Sequence, residues 1–168
     1  MITQSEKPKI VYAIYPNANG FGFVYMNNPR KLLDFGVVRI NPICNFRILE
    51  KIKSSISYFK PAILILLDPD GKSSRTGNRI KKLIDKISVY AQSENLQISQ
   101  ISRDQIRDVF ENFGVSTKFE ISQWLLTEFK ELETRKPRER KLWTSEDRNM
   151  AVFDALSLAM TWYWIQGF

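Results

Sequence analysis

Ala62-Ile63-Leu64-Ile65-Leu66-Leu67-Asp68-Pro69-Asp70-Gly71 is the stretch on which the fold turns. Six apolar residues follow one another without alternation, the pattern of a central strand covered on both faces. The run stops abruptly at an Asp-Pro-Asp-Gly turn, so two carboxylates stand where the core ends. Upstream, residues 9–15 are β-branched and aromatic and predict a first strand. Pro16-Asn17-Ala18-Asn19-Gly20 predicts a loop of several residues, and Phe21 to Met26 a second strand. Leu33 to Ile40 supplies a third, with Gly36 as the expected bulge. Three strands at this spacing imply an antiparallel meander. Phe46, Leu49, Ile52 and Ile56 then recur at helical spacing, which predicts a helix over 45–58.

Downstream, Ile80, Leu83, Ile84, Ile87 and Tyr90 mark one face of a long amphipathic helix over 75–94. Leu96 to Ile101 alternates as a fifth strand. Ser102 is placed to cap a short helix reaching Phe113 and broken at Gly114, and Thr117 another reaching about Phe129. Residues 130–145 are charged, contain Pro137 and read as an exposed connection. A final helix is expected from near Ser145, where Glu146 and Asp147 suit a helix N-terminus. In it Phe153, Leu156, Met160, Tyr163 and Trp164 form a broad apolar stripe. Asp154 is the only charge after Asn149. A carboxylate in that setting must be hydrogen-bonded, paired or metal-bound.

Composition narrows the chemistry. The 168 residues fit one domain spanning 1–168 and suffice for a real core. The chain has no histidine, which excludes Ser-His-Asp and Cys-His hydrolysis and histidine-dependent zinc sites. The lone Cys44 cannot form an internal disulfide; it reads as a small core residue, and a reducing, cytoplasmic setting is expected. Metal chemistry would need oxygen ligands, which favour magnesium or manganese. The polar N-terminus carries no secretory signal, and the last 20 residues are too interrupted to be a membrane anchor, so no membrane partner is expected. The net charge of +7 points instead to an anionic partner, nucleic acid being the commonest.

The order β-β-β-α-β-α-β-α-α-α resembles the ribonuclease H-like superfamily, and within it the RuvC-type Holliday-junction resolvases. Tyr12-Ala13-Ile14-Tyr15-Pro16-Asn17 with Gly20-Phe21-Gly22-Phe23 is similar to the family's first strand and its glycine-containing turn. Leu32 to Val38 resembles its third strand, Ile65-Leu66-Leu67-Asp68 its second acidic position, and Ser102 to Arg107 with Gly114 to Lys118 its helical insert. Phe153-Asp154-Ala155-Leu156-Ser157-Leu158-Ala159 resembles its final acidic helix. The resemblance covers nearly the whole chain through short motifs that agree in order. It implies an α/β, ribonuclease H-like fold with a five-stranded mixed sheet, three antiparallel strands then parallel ones, flanked by helices.

It also implies a metal-dependent nuclease acting on branched or structured DNA, working as a dimer, with Asp68 and Asp154 as ligands of Mg2+ or Mn2+. Two positions depart from the pattern. The first-strand aspartate falls on Tyr15, a neutral phenol at pH 7, and the acid three residues before Asp154 falls on Ala151. Asp147, two helical turns before Asp154, and Asp70 are candidate substitutes. The alternative is a catalytically degenerate nucleic-acid-binding protein of the same fold. A third reading, a phosphotransferase related to actin-like ATPases, lacks the second half those enzymes use.

Two basic clusters suit phosphate contacts: Lys72, Arg75 and Arg79 after the acidic turn, and Arg138, Arg140 and Lys141 before Trp143. Gly71-Lys72-Ser73-Ser74 is no phosphate loop, since position 66 is leucine where glycine is required. Each candidate also has a plain structural reading. Asp68 and Asp70 are common turn residues, Asp147 a helix-start acid, Tyr15 a strand aromatic, and the second basic cluster a solvated linker.

Overall fold

The computed structural model describes residues 9–71 and 75–168. Strands β1 (Val11–Asn17), β2 (Gly20–Asn28) and β3 (Lys31–Arg39) form the antiparallel meander; β4 (Ile63–Leu67) and β5 (Gln97–Ile101) complete the sheet. The spatial order is β3-β2-β1-β4-β5. The β1–β2 and β2–β3 pairs are antiparallel, and β1–β4 and β4–β5 are parallel. This is the five-stranded mixed sheet expected from the sequence. Every residue of β4 is buried, as its unbroken apolar run requires.

Helices α1 (Asn45–Phe59) and α2 (Asn78–Ser93) cover one face, where Tyr12, Tyr25 and Phe59 stack and the Tyr25 hydroxyl meets Ser55 Oγ at 2.6 Å. The other face is covered by α5 (Met150–Gln166), which lies across β1 and β2. Outside α5 pack α3 (Arg103–Glu111) and α4 (Lys118–Glu128). Because side chains alternate along a strand, Tyr15 lies on the sheet face opposite Tyr12, the face under α5. Gly22, paired with Tyr15, allows the closest approach: a Cβ there would overlap the Ala151 backbone and side chain. The helix that carries Asp154 is thereby seated against the first strand. No helix among the described residues is long and apolar enough to cross a membrane.

Several local expectations are corrected. The first hairpin has a two-residue connection, because Pro16 and Asn17 stay in the ladder opposite Phe21 and Gly20. Gly36 is not a bulge; it pairs regularly with Phe23, whose ring sits where a side chain would project, and the register shifts lie at Tyr25/Met26 and Met26/Asn28. Residues 130–145 are not all extended connection, since Lys130–Arg135 form a 3-10 turn that buries Leu132. Cys44 sits half-buried at the N-cap of α1 rather than inside the core, where backbone N–H donors from Arg47 and Phe46 lower its thiol pKa. The last helix begins at Met150 and not near Ser145. Asp147 therefore precedes the helix and does not share a face with Asp154.

Candidate functional site

Asp154, on α5, is 4% exposed. Its charge is met by cations from two other helices. Lys118 Nζ donates to Asp154 Oδ2 at 3.2 Å, and Arg103 Nη1 lies 3.9 Å from Oδ1. Each cation is the first residue of its helix, behind a complete capping box: Ser102 with Gln105 for α3, Thr117 with Glu120 for α4. A cation at a helix N-terminus opposes the helix dipole, so placing one there in both helices needs a compensating anion. Asp154 is that anion. The exposed-side neighbour Glu146 adds a second acid, its Oε2 3.5 Å from Lys118 Nζ.

Tyr15 completes the pocket. It is buried, and Lys118 Nζ stands 5.3 Å from its ring centroid, within cation–π range. Burial, followed by the negative charge of Asp154, pushes the Tyr15 phenol above its ordinary value, so it is neutral at physiological pH. Burial pushes Asp154 up against the opposing pull of Lys118 and Arg103. For Lys118, burial works downward, but Asp154, Tyr15 and Glu146 outweigh it and hold the ammonium above its ordinary value. Lys118 therefore carries its charge at neutral pH, facing Asp154 and Glu146, with Arg103 as the second cation on Asp154.

The acidic turn after β4 packs against the start of α3. Asp68 N–H donates to the Ile101 carbonyl at 2.8 Å, and Gly71 packs against Ser102, one residue before Arg103. The Asp68 carboxylate accepts the Asp70 N–H at 3.0 Å, and Asp70 itself is exposed with Lys81 Nζ 3.6 Å away. Asp147 is spent on its own loop: Oδ2 accepts N–H groups from Arg138 at 3.1 Å and 3.4 Å, and Oδ1 accepts the Asn149 N–H at 2.9 Å. Burial works to raise its carboxyl, but these donors hold it below the usual range.

A two-metal centre needs several carboxylates around one space. Among the described residues no group of three or more Asp, Glu, His or Cys side chains converges in that way. Position 15 offers a neutral phenol, and Ala151 is buried against Gly22 with nothing to donate. Asp154, the best-placed ligand, already holds an ammonium. These residues do not fit a pair of divalent ions.

The basic candidates divide similarly. Arg79 is tied into the scaffold, donating to Asn45 Oδ1 at 2.9 Å and to the Asn17 carbonyl at 2.6 Å. Arg75 is exposed. Lys72 lies outside the described residues. Arg138, Arg140 and Lys141 are exposed on one loop with Trp143. The residues that sequence reasoning missed are Lys118 and Arg103. Their signal was present: both are basic residues directly after a helix N-cap, where the dipole disfavours them.

No protein-family model and no curated protein sequence matches the chain. Solved structures do. RuvC of T. thermophilus in complex with a Holliday junction substrate superposes with a TM-score of 0.65 at 17% identity, covering 95% of this chain and 96% of that one. A second Thermus thermophilus RuvC structure gives 0.64 at 14% identity, covering 94% and 95%. Sheet order, helix placement and these superpositions agree: the chain has a RuvC-like fold of the ribonuclease H-like type.

Proposed function

We propose that this protein is a catalytically degenerate, nucleic-acid-binding version of the RuvC-like fold, with DNA as its partner. The observation that carries the reading is the Lys118 ammonium 3.2 Å from Asp154 Oδ2, in a pocket where β1 contributes Tyr15. A fixed internal cation supplies the charge balance that a metal would otherwise give, without a coordination position for water or phosphate. The metal-dependent nuclease expected from the resemblance is the reading this pocket supports less well. Binding is supported by the net charge of +7 and by exposed Arg75, Arg138, Arg140 and Lys141. Branched DNA is the first ligand to try, since the structural neighbour named above is a complex with a Holliday junction substrate. Trp164, Ile165 and Phe168, exposed at the end of α5, are the surface we propose for self-association.

The test is salt-dependent binding to a four-way junction, read by fluorescence anisotropy. Four cations, each neutralising one phosphate, give a log–log slope of about −3.6 and a loss of roughly 150-fold between 50 and 200 mM salt. An affinity indifferent to salt, or no binding at low salt, sinks the reading.

A further inference from the structure

The loop before α5 borders an open cavity of about 500 Å³ whose lining includes Arg138, Glu139, Arg140, Lys141, Trp143 and Asp147. Its most unusual residues are apolar. Trp143 is 81% exposed, and the adjoining Leu142 is fully so. The loop holds them there with its own hydrogen bonds. Thr144 Oγ1 accepts the Lys141 N–H at 3.0 Å, the Thr144 N–H returns to the Lys141 carbonyl at 3.1 Å, and Arg140 Nε donates to the Thr144 carbonyl at 3.0 Å. The partly buried carboxylate of Asp147 pins Arg138 at the other side. Lys141 Nζ lies 5.9 Å from the indole centroid, so charge and π-face are presented together.

We infer that Trp143 is a stacking platform for an unpaired base, with Arg138, Arg140 and Lys141 holding the flanking phosphates. This rests on the nucleic-acid-binding reading above and names what that surface prefers: single-stranded or locally opened DNA over closed duplex. A duplex hides the faces of its bases in its own stack, and only an unpaired or terminal base offers a face to an indole. The cavity volume is within the range that encloses a small ligand. Three cations against Glu139 and Asp147 leave the rim net positive by one charge, which suits the phosphates on either side of the stacked base.

The experiment compares wild type, Trp143→Ala and Trp143→Phe on fluorescent oligo-dT and, by competition, on a relaxed covalently closed circular duplex, at fixed salt. Loss of one stacking contact should weaken oligo-dT binding roughly 5- to 150-fold in Trp143→Ala, while duplex binding stays within about twofold. Trp143→Phe should retain most of the oligo-dT affinity, because a phenyl ring still stacks. Thermal melting of both variants should match wild type, since the indole is exposed. Equal losses on both ligands, or an unaffected oligo-dT affinity, overturn the stacking role. A wild type that binds duplex with normal salt dependence but shows a silent Trp143→Ala overturns this inference alone. A wild type that binds neither ligand overturns the nucleic-acid reading with it.

Discussion

Replacing Lys118 by methionine keeps an unbranched stem of similar length and removes the ammonium from Asp154. The carboxylate, 4% exposed, is then left with Arg103 at 3.9 Å. Removing one partner of a buried pair costs about 3–5 kcal/mol. The Lys118 side chain is 33% exposed, so water partly screens the pair and the lower end, about 3 kcal/mol, is expected. For a chain of this size each kcal/mol moves the melting temperature by about 2–4 °C, giving a fall of about 6–12 °C. Asp154→Asn should cost less, about 1–2 kcal/mol, because Glu146 Oε2 stays 3.5 Å from the ammonium. The double variant should then be no less stable than Lys118→Met, with a coupling of about 1–2 kcal/mol in the cycle. Urea unfolding followed by circular dichroism at pH 7 measures all four corners. Additivity within about 0.5 kcal/mol refutes the pairing. A melting temperature that rises in Asp154→Asn also refutes it, since that is the behaviour of a carboxylate whose burial costs more than Lys118 and Arg103 return.

Three further outcomes follow from other contacts. Gly22→Ala places a methyl group against the Ala151 backbone and should destabilise by about 1–3 kcal/mol, measured in the same unfolding assay. Asp147→Ala removes the carboxylate paired with Arg138 from the basic loop; it should tighten nucleic-acid binding at low salt in anisotropy, and an unchanged affinity counts against Arg138 as a phosphate contact. Burial raises the Tyr12 phenol from 10.0 to about 12, so its contribution is complete below pH 10 and is lost as pH climbs through the native value. Two units correspond to about 2.7 kcal/mol, so Tyr12→Phe should flatten the alkaline limb of stability between pH 10 and 12, and an unchanged limb counts against a buried neutral phenol.

The sheet was legible because its signals are local and mutually consistent. The unbroken run of β4, the meander before it and the cap residues Ser102 and Thr117 each specify one element, while the mixed five-stranded arrangement came from the resemblance of their order to the ribonuclease H-like superfamily. Boundaries were less legible where tertiary contacts decide them. Asp147 has the look of a helix-start acid, yet its side chain closes a turn with Asn149 and Arg138, and the helix waits until Met150. The need of Asp154 for a partner was readable from its apolar surroundings, but the partner was not. Lys118 is 36 residues away, and only packing of α4 on α5 brings them together. Tyr15 and Ala151 were visible as departures from the acidic pattern. That an ammonium stands beside both of those positions' helix and strand required three-dimensional proximity to see.

The most direct measurement of whether Lys118 stands in for a metal is the melting temperature of the wild-type protein titrated with Mg2+ and with Mn2+ at neutral pH. A pocket already neutralised by Lys118 and Arg103 predicts a melt that does not move. A saturable rise contradicts the account: ligand at a hundred times its dissociation constant stabilises by about 2.7 kcal/mol. In a chain of this length that is a shift of about 5–11 °C, well beyond the noise of the assay.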